Sequence, residues 1–257
     1  MKRLLKLLLG SSGESEPGPS DLRQLTEVLL REIRAANITY VGIPKLQMLR
    51  DAALRVRQDG VDGDFLEAGV ALGGSAILLA KCKPPSAALH LYDVFAMIPP
   101  PGPKDGDDAH RRYEVIRSGE SEGLGGEKYY GYVDNLIEQV HSNLARFGVD
   151  VQRDKVRLVQ GLFDDTLHPS EPIALAHIDC DWYAPVRTCM ERIIPHLVPG
   201  GIMVFDDYAS YSGCRRAVDE LLQECPSFDK VFEGRSVGIR LRRPGETATA
   251  TDRQVKI

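Results

Sequence analysis

The sequence predicts an α/β protein: a doubly wound, seven-stranded and mostly parallel sheet that ends in an antiparallel hairpin. Three observations predict it. Short apolar runs of strand character alternate with segments of helical periodicity from residue 64 to residue 224. A glycine-rich turn, Gly69-Val70-Ala71-Leu72-Gly73-Gly74, stands between the first such run and the helix after it. Carboxylates (Glu67, Asp93, Asp179, Asp206) end four of the runs, at the edge where open α/β sheets bind ligands. A chain of 257 residues fits one domain of this kind, and 43% hydrophobic with 27% charged residues excludes wholesale disorder.

Residues 1–20 read as a flexible segment. The run over 1–9 is too short and too charged for a membrane span or a secretory core, and reads as an amphipathic turn or a frayed end. A Gly/Ser/Pro linker follows over 10–20. Residues 21–60 form an N-terminal helical cap. Its first helix takes Asp21 as N-cap and carries Leu22, Leu25, Val28, Leu29 and Ile33 on one face. Its second spans 44–58, with Leu46, Leu49, Ala53, Leu54 and Val56 apolar.

The main domain is expected over 61–242. Its strands fall at 64–68, 88–93, 156–159, 175–179 and 202–206. Helices begin near Gly74 and cover 132–147, 184–196 and 213–224, the third stopping before Val198-Pro199-Gly200-Gly201. Residues 96–131 interrupt the rhythm with a Pro/Gly-rich insertion, expected as a lid, a binding loop or disorder. Segments 228–233 and 236–241 form the hairpin, and 243–257 a loose tail.

A net charge of −5 argues against a dedicated nucleic-acid binder. No run approaches about 18 apolar residues, so a soluble, cytoplasmic protein is expected, without a membrane partner. Five cysteines with no C-x-x-C pair indicate neither a zinc knuckle nor a disulfide framework; reduced thiols are expected.

The glycine spacing is not G-x-G-x-x-G, and no lysine follows it as a phosphate loop requires. Glu67 repels a pyrophosphate and suits a cationic ligand such as S-adenosylmethionine; a tight turn with no ligand is the alternative. Asp93 reads as a ribose acceptor or a solvated loop acid. Asp179, Asp181, Asp206 and Asp207 form the most informative set. If their two strands are neighbours, the ends lie about 4.8 Å apart. Carboxylates that close need neutralising, and oxygen-only donors favour Mg²⁺, Mn²⁺ or Ca²⁺. An acidic loop tip pointing into water is the other reading. His141 is a rival base, His177 a core histidine and His110 a solvated lid residue. Trp182, Tyr183, Tyr208, Tyr211, Tyr129, Tyr130 and Tyr132 read as a stacking surface or as ordinary packing.

Together these motifs resemble the macrocin O-methyltransferase family over about residues 37–241. The specific parts are Glu67-x-Gly69-Val70-x-x-Gly73-Gly74-Ser75, then Gly161-Leu162-Phe163-Asp164-Asp165-Thr166-Leu167, then Asp179-x-Asp181-x-Tyr183, and Pro199-Gly200-Gly201 followed by Asp206-Asp207-Tyr208. The resemblance implies a Rossmann-like class I methyltransferase fold, S-adenosylmethionine and Mg²⁺ as cofactors, and a small-molecule glycoside as acceptor. It implies that Asp179, Asp206 and Asp207 hold the metal and that Asp181 is the general base. It places Glu67, Gly69 and Ser75 at the methionine end of the cofactor, Asp93 at the ribose, and Gly161, Leu162 and Phe163 near the adenine, with Gly73, Gly74 and Asp179 also among the cofactor-binding residues. Family members often self-associate, so a homo-oligomer is expected. The chain departs from the family at Val94-Phe95-Ala96-Met97-Ile98-Pro99-Pro100 and at Val186, which stands in place of a threonine. A phenol or catechol O-methyltransferase and a non-catalytic cofactor-binding protein are the other readings.

Overall fold

The computed structural model describes residues 18–247. The leucine-rich run, most of the linker and the last ten residues of the tail lie outside them. In chain order the elements are α1 (Pro19–Ala35), α2 (Ile43–Gln58), β1 (Asp64–Ala68), α3 (Gly74–Cys82), β2 (Leu89–Asp93), α4 (Asp107–Arg117) and α5 (Leu136–Arg146). Then come β3 (Val156–Gln160), α6 (Phe163–Thr166), β4 (Ile173–Ile178), α7 (Tyr183–Ile193), β5 (Leu197–Phe205), α8 (Ser212–Glu224), β6 (Phe228–Glu233) and β7 (Val237–Leu241).

The seven strands form one sheet in the order β3-β2-β1-β4-β5-β7-β6. The first five run parallel, and β7 pairs antiparallel with both β5 and β6. Winding reverses between β1 and β4, so a crevice opens beyond their carboxyl ends. Buried apolar side chains fill both faces of the sheet. Leu30, Leu46, Leu78 and Val140 belong to one core; Val186, Met190, Val218 and Phe205 belong to the other.

Several local expectations are corrected. The α1 helix begins at Pro19 with Gly18 as N-cap, so Asp21 lies in the first turn and is not the cap. Its buried stripe is Leu22, Leu25, Leu29 and Ile33; Val28 is turned 100° away and is 40% exposed. The β5 strand starts at Leu197 and passes through Pro199-Gly200-Gly201, which the sequence presents as a turn. A register shift against β4 and a φ of 89° at Gly200 absorb the proline. Residues 194–196 form a separate 3₁₀ turn after α7. The helix expected over 132–147 does not start at 132, where Tyr130–Tyr132 form a 3₁₀ turn; α5 begins only at Leu136, after Asn135 in a left-handed conformation.

The insertion between β2 and α5 is not all loop. It carries α4 and two 3₁₀ turns. The α4 helix buries only Ala109 and Ile116, too few apolar positions to print a helical period on the sequence. All five cysteines are free, and no described helix is long and apolar enough to cross a membrane.

Candidate active site

The site is built at the carboxyl ends of β1, β2, β4 and β5. Gly69, just after β1, has φ 92°, and its N–H donates to Tyr92 O. A Cβ there would lie 1.8 Å from the Asp179 carbonyl oxygen, so only glycine lets the turn touch the β4 end. Gly73, φ 88°, opens α3.

The turn is held by Asp93. Its Oδ2 accepts from the Val70 and Ala71 N–H groups at 2.6 and 3.0 Å, and its Oδ1 accepts from Phe95 N–H at 2.7 Å. Burial raises its pKa in spite of these donors. Asp93 thus clamps the glycine turn to the end of β2, with both oxygens already engaged by backbone.

Ile178 and Phe205 are register partners on β4 and β5. Asp179 and Asp206 are therefore the next residues on neighbouring strands. One carboxylate oxygen each from Asp179, Asp206 and Asp207 lies within 4.8 Å of the others. Asp181 has φ 60°, uncommon for a non-glycine residue, and its N–H donates to Asp207 Oδ2 at 3.2 Å.

Two cavities meet at Asp179 and Asp181. One, of about 470 Å³, is lined by Asp179, Asp181, Asp206 and Asp207, by Lys45, Arg112 and Arg235, and by Tyr40, Tyr129, Tyr130, Trp182 and Tyr211. The other, of about 250 Å³, is lined by Val94, Ala96, Pro99, Pro100, Gly161, Leu162 and Phe163. Gly69, Asp93, Tyr130, Asp179, Asp181 and Trp182 border both. Leu162 is 46% exposed, an apolar side chain left open toward the smaller cavity.

Residues 31–226 match the family described as Macrocin-O-methyltransferase (TylF). The chain belongs to the macrocin O-methyltransferase family. A relative from Streptomyces olivaceus, 8-demethyl-8-(2,3-dimethoxy-alpha-L-rhamnosyl)-tetracenomycin-C 4'-O-methyltransferase, is 31% identical over 82% of this chain and 77% of its own. Mycinamicin III 3''-O-methyltransferase of Micromonospora griseorubida is 30% identical over 80% of this chain and 78% of its own. The solved O-methyltransferase NovP superposes with a TM-score of 0.65, covering 80% of this chain and 83% of that one at 24% identity, a likeness of fold. As a member of this family, the chain is an S-adenosylmethionine-dependent O-methyltransferase of the class I fold.

The electrostatics of the site are uneven. Burial, then the neighbouring carboxylates, hold Asp179 and Asp181 well above the ordinary aspartate range. Burial and Asp206 push Asp207 up to about 6. Asp206 goes the other way: burial opposes its charge, but His177 and Lys45 outweigh it and hold it low. Lys45 Nζ lies 2.7 Å from Asp206 Oδ2 and 3.8 Å from Asp207 Oδ1. This lysine, on α2 of the N-terminal cap, is the functional residue that sequence spacing does not reveal. No motif surrounds it, and only the packing of α2 beside β5 brings it in. Arg112 reaches the cavity from α4, its guanidinium 5.4 Å from the Tyr129 ring centre.

Other expected residues fall elsewhere. Glu67 and Ser75 are buried, and neither they nor Gly73 and Gly74 line the cavities. His141 is corrected as a base: it is exposed on the outer side of α5 and lines neither cavity. A general base must come within hydrogen-bond reach of the proton it removes. His110 is exposed on α4. Tyr183 donates to Glu220 and Tyr208 to Asp219, so these two phenols are tied to α8.

His177 is fully buried in β4. Its Nδ1 lies 2.8 Å from Glu67 Oε1, while Nε2 lies 3.9 Å from Asp206 Oδ1, an ion-pair separation without a hydrogen bond. Burial works against its charge, yet Asp206 and Glu67 prevail and push it up from 6.5 to about 9. A raised folded pKa stabilises below the unfolded value and loses that contribution as pH climbs through the folded one. The thermal midpoint of the native protein should therefore fall between neutral pH and about pH 10 more steeply than that of His177→Gln. Parallel melting curves across that range would contradict the pairing.

Proposed function

We propose that this enzyme methylates a sugar hydroxyl of a glycosylated small molecule, with a divalent cation held by Asp179, Asp206 and Asp207 and with Asp181 as proton acceptor. One observation carries the reading. Four carboxylates from the ends of two adjacent strands line a cavity of about 470 Å³, and two of them, Asp179 and Asp181, also border the adjoining cavity of about 250 Å³.

The donor set fits a hard cation: three carboxylates, no thiolate or imidazole, and oxygens within 4.8 Å of one another. Mg²⁺, Mn²⁺ or Ca²⁺ suits it. Such a cation supplies positive charge that acidifies an acceptor hydroxyl and offsets the repulsion among the aspartates.

The smaller cavity suits the adenosine of the cofactor. Leu162 and Phe163 face the base, Gly161 keeps the wall open, and Asp93 shapes the ribose end through the turn it clamps. Gly69 borders the methionine end directly, and Glu67, Gly73, Gly74 and Ser75 support it from behind the turn. Tyr129, Tyr130, Trp182 and Tyr211 give the larger cavity the aromatic walls that suit a sugar ring. S-adenosylmethionine supplies a methyl carbon on a sulfonium. With the cofactor bound, that carbon would pass to the acceptor oxygen and S-adenosylhomocysteine would leave, while Asp181 would take the hydroxyl proton. Burial and the neighbouring carboxylates raise the proton affinity of Asp181, as suits a proton acceptor. The lid segment, which lines both cavities, keeps water from the reacting atoms.

The two relatives are named for transfer to sugar positions, which supports a glycoside acceptor. The test is an acceptor panel of glycosides and catechols incubated with S-adenosylmethionine and Mg²⁺, read by product mass. Methylated glycosides with inert catechols are expected. Methylated catechols alone would replace the sugar hydroxyl by a phenol.

A further inference from the structure

The α7 and α8 helices start directly after the two acid-bearing turns. Their own N-cap residues are Trp182 and Tyr211, neither of which offers a side-chain cap. The caps come from the lid. Asp105 Oδ1 accepts the N–H of Tyr183, the first residue of α7, at 2.7 Å, while its Oδ2 accepts from Gly102 N–H at 2.9 Å. Asp108 accepts both the N–H and the hydroxyl of Ser212, the first residue of α8, at 2.7 Å each.

The fit around these caps is close. A Cβ at Gly213 would lie 1.9 Å from Asp105 Oδ1, and one at Gly106 would lie 2.4 Å from Ser212 Oγ. Trp182 Nε1 donates to the lid carbonyl of Pro99 at 2.9 Å, and Lys104 Nζ donates to Tyr183 OH at 2.8 Å. One residue separates Asp181, in its left-handed conformation, from the capped N–H of Tyr183.

We propose that Asp105 and Asp108 are positioning residues that latch the lid by capping α7 and α8 in trans, holding it over both cavities and fixing the backbone that carries Asp181. The consequence for catalysis rests on the reading of Asp181 given above; the latch itself does not. Lid residues Pro99 and Pro100 line the smaller cavity, and Arg112 and Ile116 line the larger. Releasing the latch therefore opens the cofactor side as well as the acceptor side.

Trp182 is the only tryptophan in the chain, so its fluorescence reports the latch directly. The experiment measures acrylamide quenching of Trp182 and the affinity for S-adenosylhomocysteine in the full-length native protein, Asp105→Ala, Asp105→Asn and Gly213→Ala. Asp105→Ala and Gly213→Ala should each raise quenching about threefold and weaken S-adenosylhomocysteine about five- to tenfold, the scale of one lost cap. Asp105→Asn keeps an acceptor oxygen for Tyr183 N–H and should stay within about twofold of native. Asp105→Leu, of similar size but without an acceptor, separates lost packing from the lost cap and should behave like Asp105→Ala. Unchanged quenching in Asp105→Ala at native helicity overturns the latch. If Asp105→Ala does not fold, Gly213→Ala, which displaces an intact Asp105, decides by the same two readings. Absence of S-adenosylhomocysteine binding in the native protein would instead sink the cofactor reading, and the quenching series would still score the latch.

Discussion

Asp181→Asn should lower methyl transfer by about 10²- to 10⁴-fold, the usual share of a positioned general base. S-adenosylhomocysteine affinity should stay close to native. Asparagine keeps the size of the side chain and removes only its capacity to take a proton. The left-handed backbone at this position tolerates asparagine better than most residues, so the variant should fold. Transfer is measured as radiolabelled methyl incorporation into whichever glycoside the acceptor panel yields. Asp181 is the one carboxylate of the four that lies outside the three-acid cluster while still bordering both cavities. Loss of S-adenosylhomocysteine binding in step with activity would make it a binding residue instead. Native activity would leave the proton with no acceptor among the residues assigned here.

Lys45→Met should tighten divalent-cation binding about a hundredfold and lower the melting temperature of the metal-free protein. Lys45 now neutralises Asp206 at 2.7 Å and faces Asp207 at 3.8 Å. Two unit charges about 4 Å apart near a protein surface interact by about 4 kcal/mol, and a divalent cation doubles the repulsion from an ammonium. A hundredfold change in affinity corresponds to about 2.7 kcal/mol, well inside that repulsion. Methionine preserves the length of the stem and so the packing of α2. The check is a calorimetric titration of Mn²⁺ into both proteins, with thermal unfolding measured in EDTA. Weaker binding by Lys45→Met would mean that the ammonium holds Asp206 in place for the metal rather than standing where the metal's charge goes.

The parts of this fold written in local patterns were legible in the sequence. Short segments of strand character marked each parallel strand, broken by a polar residue in β1, β2 and β3 and near-continuously apolar in β4 and β5, and the acids that follow β4 and β5 stood out because each closes such a run. The order Glu67, Gly69, Gly73, Gly74 carried the turn. Parts that depend on distant packing were not legible. Lys45 and Asp206 are 161 residues apart, and nothing in the amphipathic pattern of α2 singles out that lysine. The trans-capping of α7 by Asp105 spans 78 residues and replaces a cap that Trp182 does not provide. His141 was misjudged because helical periodicity tells which face of α5 is apolar, not which ligand edge the helix adjoins. Pro199-Gly200-Gly201 read as a turn because its pairing depends on a register shift in the neighbouring strand.

The central claim is that three aspartates hold a divalent cation beside the cofactor. The direct measurement is a calorimetric titration of Mg²⁺ into native protein and Asp179→Ala, each first saturated with S-adenosylhomocysteine. A saturable heat is expected in the native protein, vanishing in Asp179→Ala while S-adenosylhomocysteine stays bound. A native protein that binds S-adenosylhomocysteine and gives no Mg²⁺ heat would contradict it, leaving a methyltransferase whose acids are neutralised by Lys45 and His177 alone.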